Sequence, residues 1–288
     1  MSKWITWTLA CAALLAFAAA LAAQRASQAR RQQTTDAAAM NKMENAMAGE
    51  TQKTPVLVEL FTSEGCSSCP PADDVLARLE QDQPFPDIEI IALGQHVDYW
   101  NRLGWADPFS SAAFSGRQYN YAEAFGRDGV YTPQMIIDGR AEFPGSTGTK
   151  AREAIINAAK SPKATIKITR AAASTDRKAA VVPLKISVEN LPQVSAGDVA
   201  EVLLAITENN LSTSVPRGEN AGRTLRHAGV VRQLSVIGNA QPGLTSIIRI
   251  ESMLADGWKR RNLRAVVFVQ ERDNRRVLGA ASLKLAEQ

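Results

Sequence analysis

The chain is poor in cysteine and histidine, and that scarcity limits the chemistry it can perform. Its 288 residues include three cysteines and two histidines. Cys11 lies within an apolar N-terminal run, which leaves Cys66 and Cys69 for the folded part of the chain. A structural zinc site needs four Cys or His ligands, so carboxylates would have to complete any such set. A disulfide between cysteines separated by two residues closes too small a loop to add much stability through the unfolded state. Redox chemistry is therefore the interpretation that these counts favour.

Motifs that cradle phosphates or read nucleic-acid bases are also absent. The net charge of +4 conceals an acidic half and a basic half. Residues 51–160 carry 15 acidic and 9 basic side chains, a net −6, whereas residues 161–288 carry 11 and 19, a net +8. Residues 219–232, which include His227, form either a surface for an anionic partner or a solvated hairpin, and we favour the hairpin. Residues 258–264 hold four positive charges, but we expect no nucleic-acid partner.

The first fifty residues are typical of a targeting segment followed by a tether. Lys3 supplies a positive charge, and residues 4–23 are apolar except for two threonines and one cysteine. Residues 20–22 offer the small-x-small pattern of a signal cleavage site. An uncleaved anchor is the alternative, because about 20 apolar residues can span a membrane. Residues 24–53 show no apolar periodicity and predict a disordered tether. We expect a periplasmic or secreted protein, with residues 1–23 as signal peptide or membrane anchor.

Two domains are expected, because the chain exceeds the usual single-domain length of about 100–200 residues. For residues 54–160 the apolar patterns predict the order β-α-β-α-β-β-α, which is typical of an α/β domain. The second strand of this domain should run parallel to the first. The predicted strands span residues 55–61, 88–97, 134–138 and 141–143, and the predicted helices span residues 66–81, 108–125 and 150–160.

Residues 161–288 have a different texture and predict a separate, all-β C-terminal domain. Seven segments of strand character are separated by clusters of Asp, Asn, Gly and Pro. Because no helical pattern lies between them, an antiparallel, sandwich-like arrangement is favoured. The predicted strands span residues 164–170, 180–188, 199–207, 227–237, 245–250, 263–269 and 277–285.

The Cys66–Cys69 pair stands between a predicted buried strand and a predicted helix. The unpaired N–H groups at a helix N-terminus favour thiolate over thiol. We therefore expect Cys66, in the first turn, to attack a disulfide. Cys69, one turn along and more buried, should then resolve the mixed disulfide. Ser67 and Ser68 keep the intervening loop polar.

Pro133 precedes the third predicted strand and is the second candidate for the catalytic site. In this order of elements we expect a cis Thr132–Pro133 bond facing the cysteine pair. Such a bond leaves the preceding backbone free to hydrogen-bond an extended substrate segment. Thr132 is accordingly a candidate substrate-binding residue.

His96 and Asp98 end the second predicted strand at the same sheet edge as the cysteines, where α/β proteins collect ligands. Either is a candidate to relay the proton that Cys69 must lose when it attacks. Alternatively, backbone groups satisfy His96 and Asp98 caps the next turn, and the sequence favours neither interpretation. Trp100 and its aromatic neighbours line either a peptide-binding surface or a core.

Three stretches of the sequence together resemble a known family. They are VELFTSEGCSSCPPADD (residues 58–74), HVDYW…LGWADPF (96–109) and GVYTPQMIIDGR (129–140). They resemble the exported, thioredoxin-like bacterial family catalogued as domain of unknown function 1223. The resemblance implies a thioredoxin-like domain over residues 54–160, with Cys66 and Cys69 at the redox position and Pro133 at the cis-proline position.

One departure from thioredoxins concerns the mechanism. Thioredoxins carry an aromatic residue before the first cysteine and Gly-Pro between the pair, whereas this chain has Gly65 and Ser-Ser. The direction of electron flow is therefore left open by the sequence.

These observations predict an exported thiol-disulfide oxidoreductase that acts on protein or small-molecule thiols and disulfides. No cofactor and no resident metal are expected. One alternative is a non-catalytic binding or chaperone-like module that uses the basic β-rich half to hold a partner. Another is the handling of a soft metal such as copper through Cys66, Cys69 and His96.

Overall fold

The computed structural model of the chain describes residues 53–171 and 181–285. The predicted signal segment at residues 1–23 and the tether at residues 24–53, apart from Lys53, lie outside these described residues. In the part of the chain that is described, no helix is long and apolar enough to cross a membrane.

Three α-helices lie in the first half of the described chain. The helices are α1 (Pro70–Asp82), α2 (Ala112–Ala124) and α3 (Gly148–Ala159), and two 3-10 turns span Asn101–Leu103 and Arg260–Asn262. Ser111 is the N-cap residue of α2, and its side chain accepts a hydrogen bond from the N–H of Ala113, as an N-cap serine does. Gln83 is the C-cap residue of α1 and lies in the left-handed region, with φ at 43°.

Thirteen strands of the described residues form one large sheet and two small ones. The strands are β1 (Thr54–Thr62), β2 (Ile88–His96), β3 (Gln134–Ile137), β4 (Ala141–Pro144), β5 (Thr165–Arg170), β6 (Val181–Glu189), β7 (Ala200–Glu208), β8 (Leu211–Ser214), β9 (Thr224–His227), β10 (Val230–Ala240), β11 (Ser246–Met253), β12 (Leu263–Glu271) and β13 (Val277–Lys284). The eight-stranded sheet has the order β13-β12-β7-β10-β2-β1-β3-β4, the three-stranded sheet has the order β11-β6-β5, and β8 pairs with β9 alone.

The large sheet joins strands from both halves of the chain. The predicted parallel pairing of β1 with β2 is confirmed, and β3 runs antiparallel to β1. On the other side of β2 lies β10, parallel to it, with Gly94 opposite Val230. Strands β7, β12 and β13 then continue the sheet by antiparallel pairs. The sheet therefore has no break at the predicted boundary after residue 160.

The two faces of the large sheet are covered differently. Side chains alternate along a strand, so Val56 and Val58 of β1 face α1 and α3, whereas Leu57 faces the opposite side. Further along the first face, the three-stranded sheet packs on β7 and β12. On the second face, Leu57 shares one cluster of buried side chains with Phe114 of α2 and Phe268 of β12. This cluster is a hydrophobic core to which both halves contribute.

The large sheet also curls so that its end strand β13 approaches β1 and β2. The N–H of Val277 donates to the carbonyl of Asp138, just after β3, at 2.9 Å. The hydroxyl of Ser282 in β13 donates to the carboxylate of Glu89 in β2 at 3.1 Å. The second face of the sheet is thereby enclosed by its own curvature.

The predicted fold class, a thioredoxin-like α/β domain followed by an all-β sandwich-like domain, is wrong. The eight-stranded mixed sheet runs through both halves, and the protein is mostly β. The order of elements up to residue 160 is nevertheless the predicted one. The error arose because β7 and β12 are buried on both faces. Their apolar pattern is the same whether they belong to a sandwich or continue another sheet.

A test of the shared sheet uses Gly229, which adopts φ of 59° where β10 approaches β2. A Cβ at this position would lie 2.6 Å from the carbonyl oxygen of Ala92. We expect Gly229→Ala to lower the free energy of unfolding by about 3 kcal/mol, from left-handed strain and overpacking. Chemical denaturation followed by circular dichroism measures this difference.

Gly243→Ala is the matched control, because Gly243 has φ of 77° and open space where a Cβ would stand. Gly243→Ala should lower the free energy of unfolding through left-handed strain alone, by about 1 kcal/mol. Equal losses in the two variants would contradict the close contact between β10 and β2.

Candidate functional site

The candidate site is the turn that connects β1 to α1. Cys66 and Cys69 form a disulfide in this turn, with their Cα atoms 5.4 Å apart. Neither cysteine has exposed surface, whereas the two serines between them are exposed. The predicted difference in burial between the cysteines is therefore absent in the disulfide form.

The helix predicted to start at Cys66 starts four residues later, at Pro70. Proline lacks an N–H group and suits the first positions of a helix, where N–H groups have no helical partner. Cys69 is the N-cap residue, and its carbonyl accepts hydrogen bonds from the N–H groups of Ala72 and Asp73 at 2.8 and 3.1 Å. The field of a helix terminus falls off within about one turn. Cys69, rather than Cys66, is thus the cysteine next to the helix N-terminus.

Trp100 links the cysteine turn to the Thr132–Pro133 segment. The Thr132–Pro133 bond is cis, as expected. The indole Nε1 of Trp100 donates to the hydroxyl of Thr132 at 2.8 Å. The Cβ of Trp100 lies 3.1 Å from where a side chain on Gly65 would begin. Trp100 therefore lies beside the cysteine turn and connects it to Thr132, and glycine at position 65 leaves room for the tryptophan.

His96 and Asp98 have different hydrogen-bond partners. His96 is buried, and its Nδ1 lies 2.7 Å from a carboxylate oxygen of Asp107. Asp98 accepts a hydrogen bond from the hydroxyl of Ser115, and its carbonyl accepts one from the N–H of Asn101 in the following turn. Asp98 is thus bound to α2 and to the turn that follows β2, and its role as a proton relay stays a prediction. His96 belongs to a larger buried cluster.

Glu64, two residues before Cys66, is the centre of this buried cluster. Its side chain is fully buried, and one carboxylate oxygen lies 3.0 Å from Nε2 of His227. The other carboxylate oxygen accepts a hydrogen bond from the indole of Trp105 at 2.8 Å. Its backbone N–H donates to Asp107 at 2.8 Å. The solvated hairpin predicted around His227 is thus wrong at that residue, because His227 is buried against Glu64.

The carboxylate of Asp107 is held ionised by its partners. Burial opposes ionisation, but the adjacent His96 and the backbone N–H groups of Glu64 and Phe109 outweigh it and lower the pKa of Asp107. The rings of His96 and His227 meet edge to face, with centroids 4.8 Å apart. The two histidines of the chain therefore lie together behind the cysteine turn.

A loop from the second half of the chain, residues 215–223, holds the cysteine turn in place. We name it the Asn220 loop. The amide of Asn220 is buried and donates to the carbonyls of Glu64 and Cys66 at 2.9 and 3.0 Å. The carboxylate of Glu219 accepts a hydrogen bond from the N–H of Ser67 at 3.0 Å. Hydrogen bonding from the side chain of Ser67, together with this N–H, lowers the pKa of Glu219.

Asp73 is a buried carboxyl group on α1, one turn beyond Cys69. Burial raises its pKa from the ordinary 3.8 to about 7, and the nearby carboxylates of Asp107 and Asp74 add to this effect. His227 opposes it. Asp73 is therefore a protonatable group within the helix that follows the disulfide.

The metal-handling hypothesis named Cys66, Cys69 and His96 as ligands of a soft ion. Within residues 53–171 and 181–285, no group of three or more His, Cys, Asp or Glu side chains is placed to hold a metal ion. Cys66 and Cys69 bond to each other, and His96 is engaged by Asp107.

Sequence reasoning missed several residues of this site. Glu64 and Asp107 lie inside the stretches that carry the family resemblance, and their charge within buried segments was a usable signal. His227 is one of only two histidines in the sequence, which was a weaker signal. Asn220 lies more than 150 residues from Cys66, and no local pattern indicated that the two would meet.

Comparisons with known proteins agree with this fold. A family model described as protein of unknown function (DUF1223) matches residues 57–270. No curated protein matches the chain. Among solved structures, protein AGR_C_4864 from Agrobacterium tumefaciens is similar, with a TM-score of 0.63 and 27% identity over 82% of this chain and 97% of that one. HBP35 of Porphyromonas gingivalis is similar at a TM-score of 0.58 and 16% identity, over 82% and 79% of the two chains. At that identity the second likeness shows the fold alone.

The buried carboxyl of Asp73 predicts a specific pH dependence of stability. Between pH 4 and 7 the unfolded state has lost the proton that the folded state keeps, so stability falls as the pH rises. Asp73→Asn removes this penalty and should raise the free energy of unfolding at pH 8 by up to about 4 kcal/mol, with little effect at pH 4. Urea denaturation at the two pH values measures the difference. The control is Asp128→Asn, at an exposed aspartate outside α1, which should change neither value. A pH-independent effect of Asp73→Asn would contradict the assignment.

The Asn220 loop predicts how fast the disulfide is reduced. Asn220→Ala removes two hydrogen bonds that hold the cysteine turn, each typically contributing about 1 kcal/mol. We expect reduction by a small dithiol to become roughly fivefold faster or more, because the turn opens more readily. The rate of reduction is measured by quenching samples at successive times and assaying their free thiol. Asn239→Ala, at an exposed asparagine of β10, should leave the rate unchanged, and an unchanged or slower rate in Asn220→Ala would count against the loop's role.

Proposed function

The chain belongs to the DUF1223 family, and from its Cys66–Cys69 pair we propose that it is a thiol-disulfide oxidoreductase. The observation that carries the proposal is the disulfide itself, in the turn that follows β1, where Trp100 connects Gly65 of the turn to Thr132. A disulfide across two residues adds little stability through the unfolded state. Exchange of its electrons with a substrate is a better account of the pair than stabilisation of the chain.

The reaction proceeds by two thiolate attacks. With the pair reduced, the thiolate of Cys66 attacks one sulfur of a substrate disulfide, forms a mixed disulfide and releases the other substrate sulfur as a thiolate. The thiolate of Cys69 then attacks Sγ of Cys66, which forms the Cys66–Cys69 disulfide and releases the second substrate thiolate. The substrate gains two electrons and the pair loses two. A dithiol reductant restores the pair, and the same steps in reverse oxidise a substrate dithiol.

The surroundings of the turn support these roles. Ser68 lies within hydrogen-bonding distance of the sulfur of Cys66, with Oγ and Sγ 3.3 Å apart, so its hydroxyl is placed to donate to a Cys66 thiolate. Cys69 is at the helix N-terminus, which favours its thiolate when it leaves or attacks. Thr132 and Trp100 form the neighbouring wall, where an extended substrate segment would bind.

Access to the sulfurs is part of the proposal. Reactive cysteines are generally accessible to solvent, whereas both cysteines are buried in the disulfide form. The exposed Ser67 and the Asn220 loop lie over the turn. Substrate attack then requires that this loop move aside, and the loop limits which disulfides reach the pair.

The same burial favours a second candidate function, a non-catalytic binding module that holds a partner through its basic β-rich half. In that case the Asn220 loop and its hydrogen bonds to Glu64 and Cys66 would be permanent parts of the surface. Partner binding would then survive the loss of both cysteines.

Export is the setting that suits this chemistry. The apolar segment at residues 4–23, with Lys3 before it, is typical of a signal peptide or anchor. Disulfides form and persist outside the reducing cytoplasm. We therefore place the proposed reaction in the periplasm or outside the cell, with protein or small-molecule thiols as partners.

The decisive experiment is reduction of a protein disulfide in the presence of a dithiol reductant. We expect Cys66→Ser to abolish turnover, because the attacking sulfur is lost. Cys69→Ser should retain the first attack and accumulate a mixed disulfide, which mass spectrometry of the intact protein detects. Ser67→Ala, at an exposed position, is the control for a change in the turn that leaves both sulfurs and Ser68 in place, and it should keep most of the activity.

Equal turnover by wild type and Cys66→Ser would sink the redox proposal. The binding alternative would gain if partners captured by the wild-type chain were captured equally by a variant that lacks both cysteines.

A further inference from the structure

Several basic residues from separate parts of the sequence have no part in the proposed reaction, yet the fold brings them together. Arg226 lies on β9, Arg261 lies in the 3-10 turn Arg260–Asn262, and Arg264 lies at the start of β12. With Lys284 at the end of β13, they line one groove of about 730 Å³. The groove lies between α1, the β8–β9 pair and the start of β12. Its volume is within the range of sites that bind small ligands or short peptide segments.

The charges in this groove do not balance. Glu80 on α1 is satisfied, because Arg264 lies 3.5 Å from its carboxylate and the amide of Asn209 donates to it at 2.9 Å. Arg226, Arg261 and Lys284 are exposed, and none of them forms an ion pair within the described part of the chain. The further carboxylate that lines the groove is Asp74. Three cations thus face one free carboxylate.

Uncompensated positive charge in a concave surface favours an anionic ligand. A cleft lined by one sign of charge raises the local concentration of opposite charge and speeds association. The remaining lining includes the side chains of Asn210, Ser212 and Thr224. These amides and hydroxyls both donate and accept hydrogen bonds, which suits the backbone of an extended peptide.

The groove is adjacent to the disulfide. Asp74 on its wall lies five residues beyond Cys69 on α1, a rise of about 7–8 Å along the helix axis. His227, another lining residue, bonds to Glu64 two residues before Cys66. The near end of a chain bound in the groove would therefore lie one to two helical turns from Cys69, and the chain would extend away from it along α1 as far as Glu80.

We propose that this groove binds an acidic segment of the polypeptide whose disulfide or thiols react with Cys66–Cys69. The redox part of this statement rests on the proposed function, whereas the binding of an acidic peptide does not. Arg226 and Arg261 supply the charges that select the acidic segment. The acidic first half of the chain would repel such a segment elsewhere, so the groove also orients it.

Binding is tested with cysteine-free fluorescent peptides of equal length, rich in glutamate or in glutamine, by anisotropy with the full chain. We expect the glutamate peptide to bind and the glutamine peptide to bind at least tenfold more weakly. The double variant Arg226→Glu with Arg261→Glu should bind the glutamate peptide at least tenfold more weakly than the wild type. The control is Lys150→Glu with Arg249→Glu, which changes the net charge equally at exposed positions outside the groove and should leave affinity within about twofold.

The outcomes separate the two proposals. Equal binding of the two peptides, or equal loss in both double variants, would overturn the groove assignment whatever the redox assay shows. An oligonucleotide that bound more tightly than the glutamate peptide would overturn the choice of ligand. Peptide binding that depends on Arg226 and Arg261 would stand even if Cys66→Ser left disulfide reduction unchanged, which would remove only the redox proposal.

Discussion

The buried carboxylate of Glu64 is the constraint on which the arrangement of the site depends. A buried charge without partners is costly by several kcal/mol, so its surroundings must supply them. His227 and Trp105 satisfy the two carboxylate oxygens, and Asp107 and Asn220 bind the backbone N–H and carbonyl of the same residue. These partners come from the segment after β2, the Asn220 loop and β9. One side chain next to Cys66 therefore requires distant parts of the chain to converge on the cysteine turn.

The convergence at Glu64 is supported by a core that both halves share. Leu57 and Phe268, more than 200 residues apart, pack in one cluster on the enclosed face of the curled sheet. Near this cluster lies the buried ion pair of Glu59 and Arg117. Arg117 also donates to the hydroxyl of Tyr121, which accepts a second hydrogen bond from the side-chain amide of Gln270 in β12. The cysteine turn is thus supported by the whole sheet, and the basic second half supplies both the Asn220 loop and most of the charged groove.

Local patterns predicted much of the secondary structure, and their failures have physical causes. The strands around Val58 and Ile90 and the helix around Leu76 were found because their apolar periodicity is strong. The predicted start of α1, Cys66, is four residues too early, because the helix begins at Pro70. The short strands β8 and β9 were missed because each has only four residues, most of them polar, and so shows little apolar alternation. The role of His96 was left undecided, since its partner Asp107 is contributed by a loop.

By itself the sequence determined the cysteine pair, the order of elements up to residue 160, and the Thr132–Pro133 segment. Each depends on residues close together in the chain, whose chemistry and spacing are legible locally. Only the tertiary structure decided that β10 pairs with β2, that His227 and Asn220 reach Glu64, and that Arg226 and Arg261 share a groove. Strands buried on both faces have the same apolar pattern in any sheet, and pairing between them is set by long-range packing. For that reason the two halves, which differ so clearly in charge and texture, form one sheet and one site.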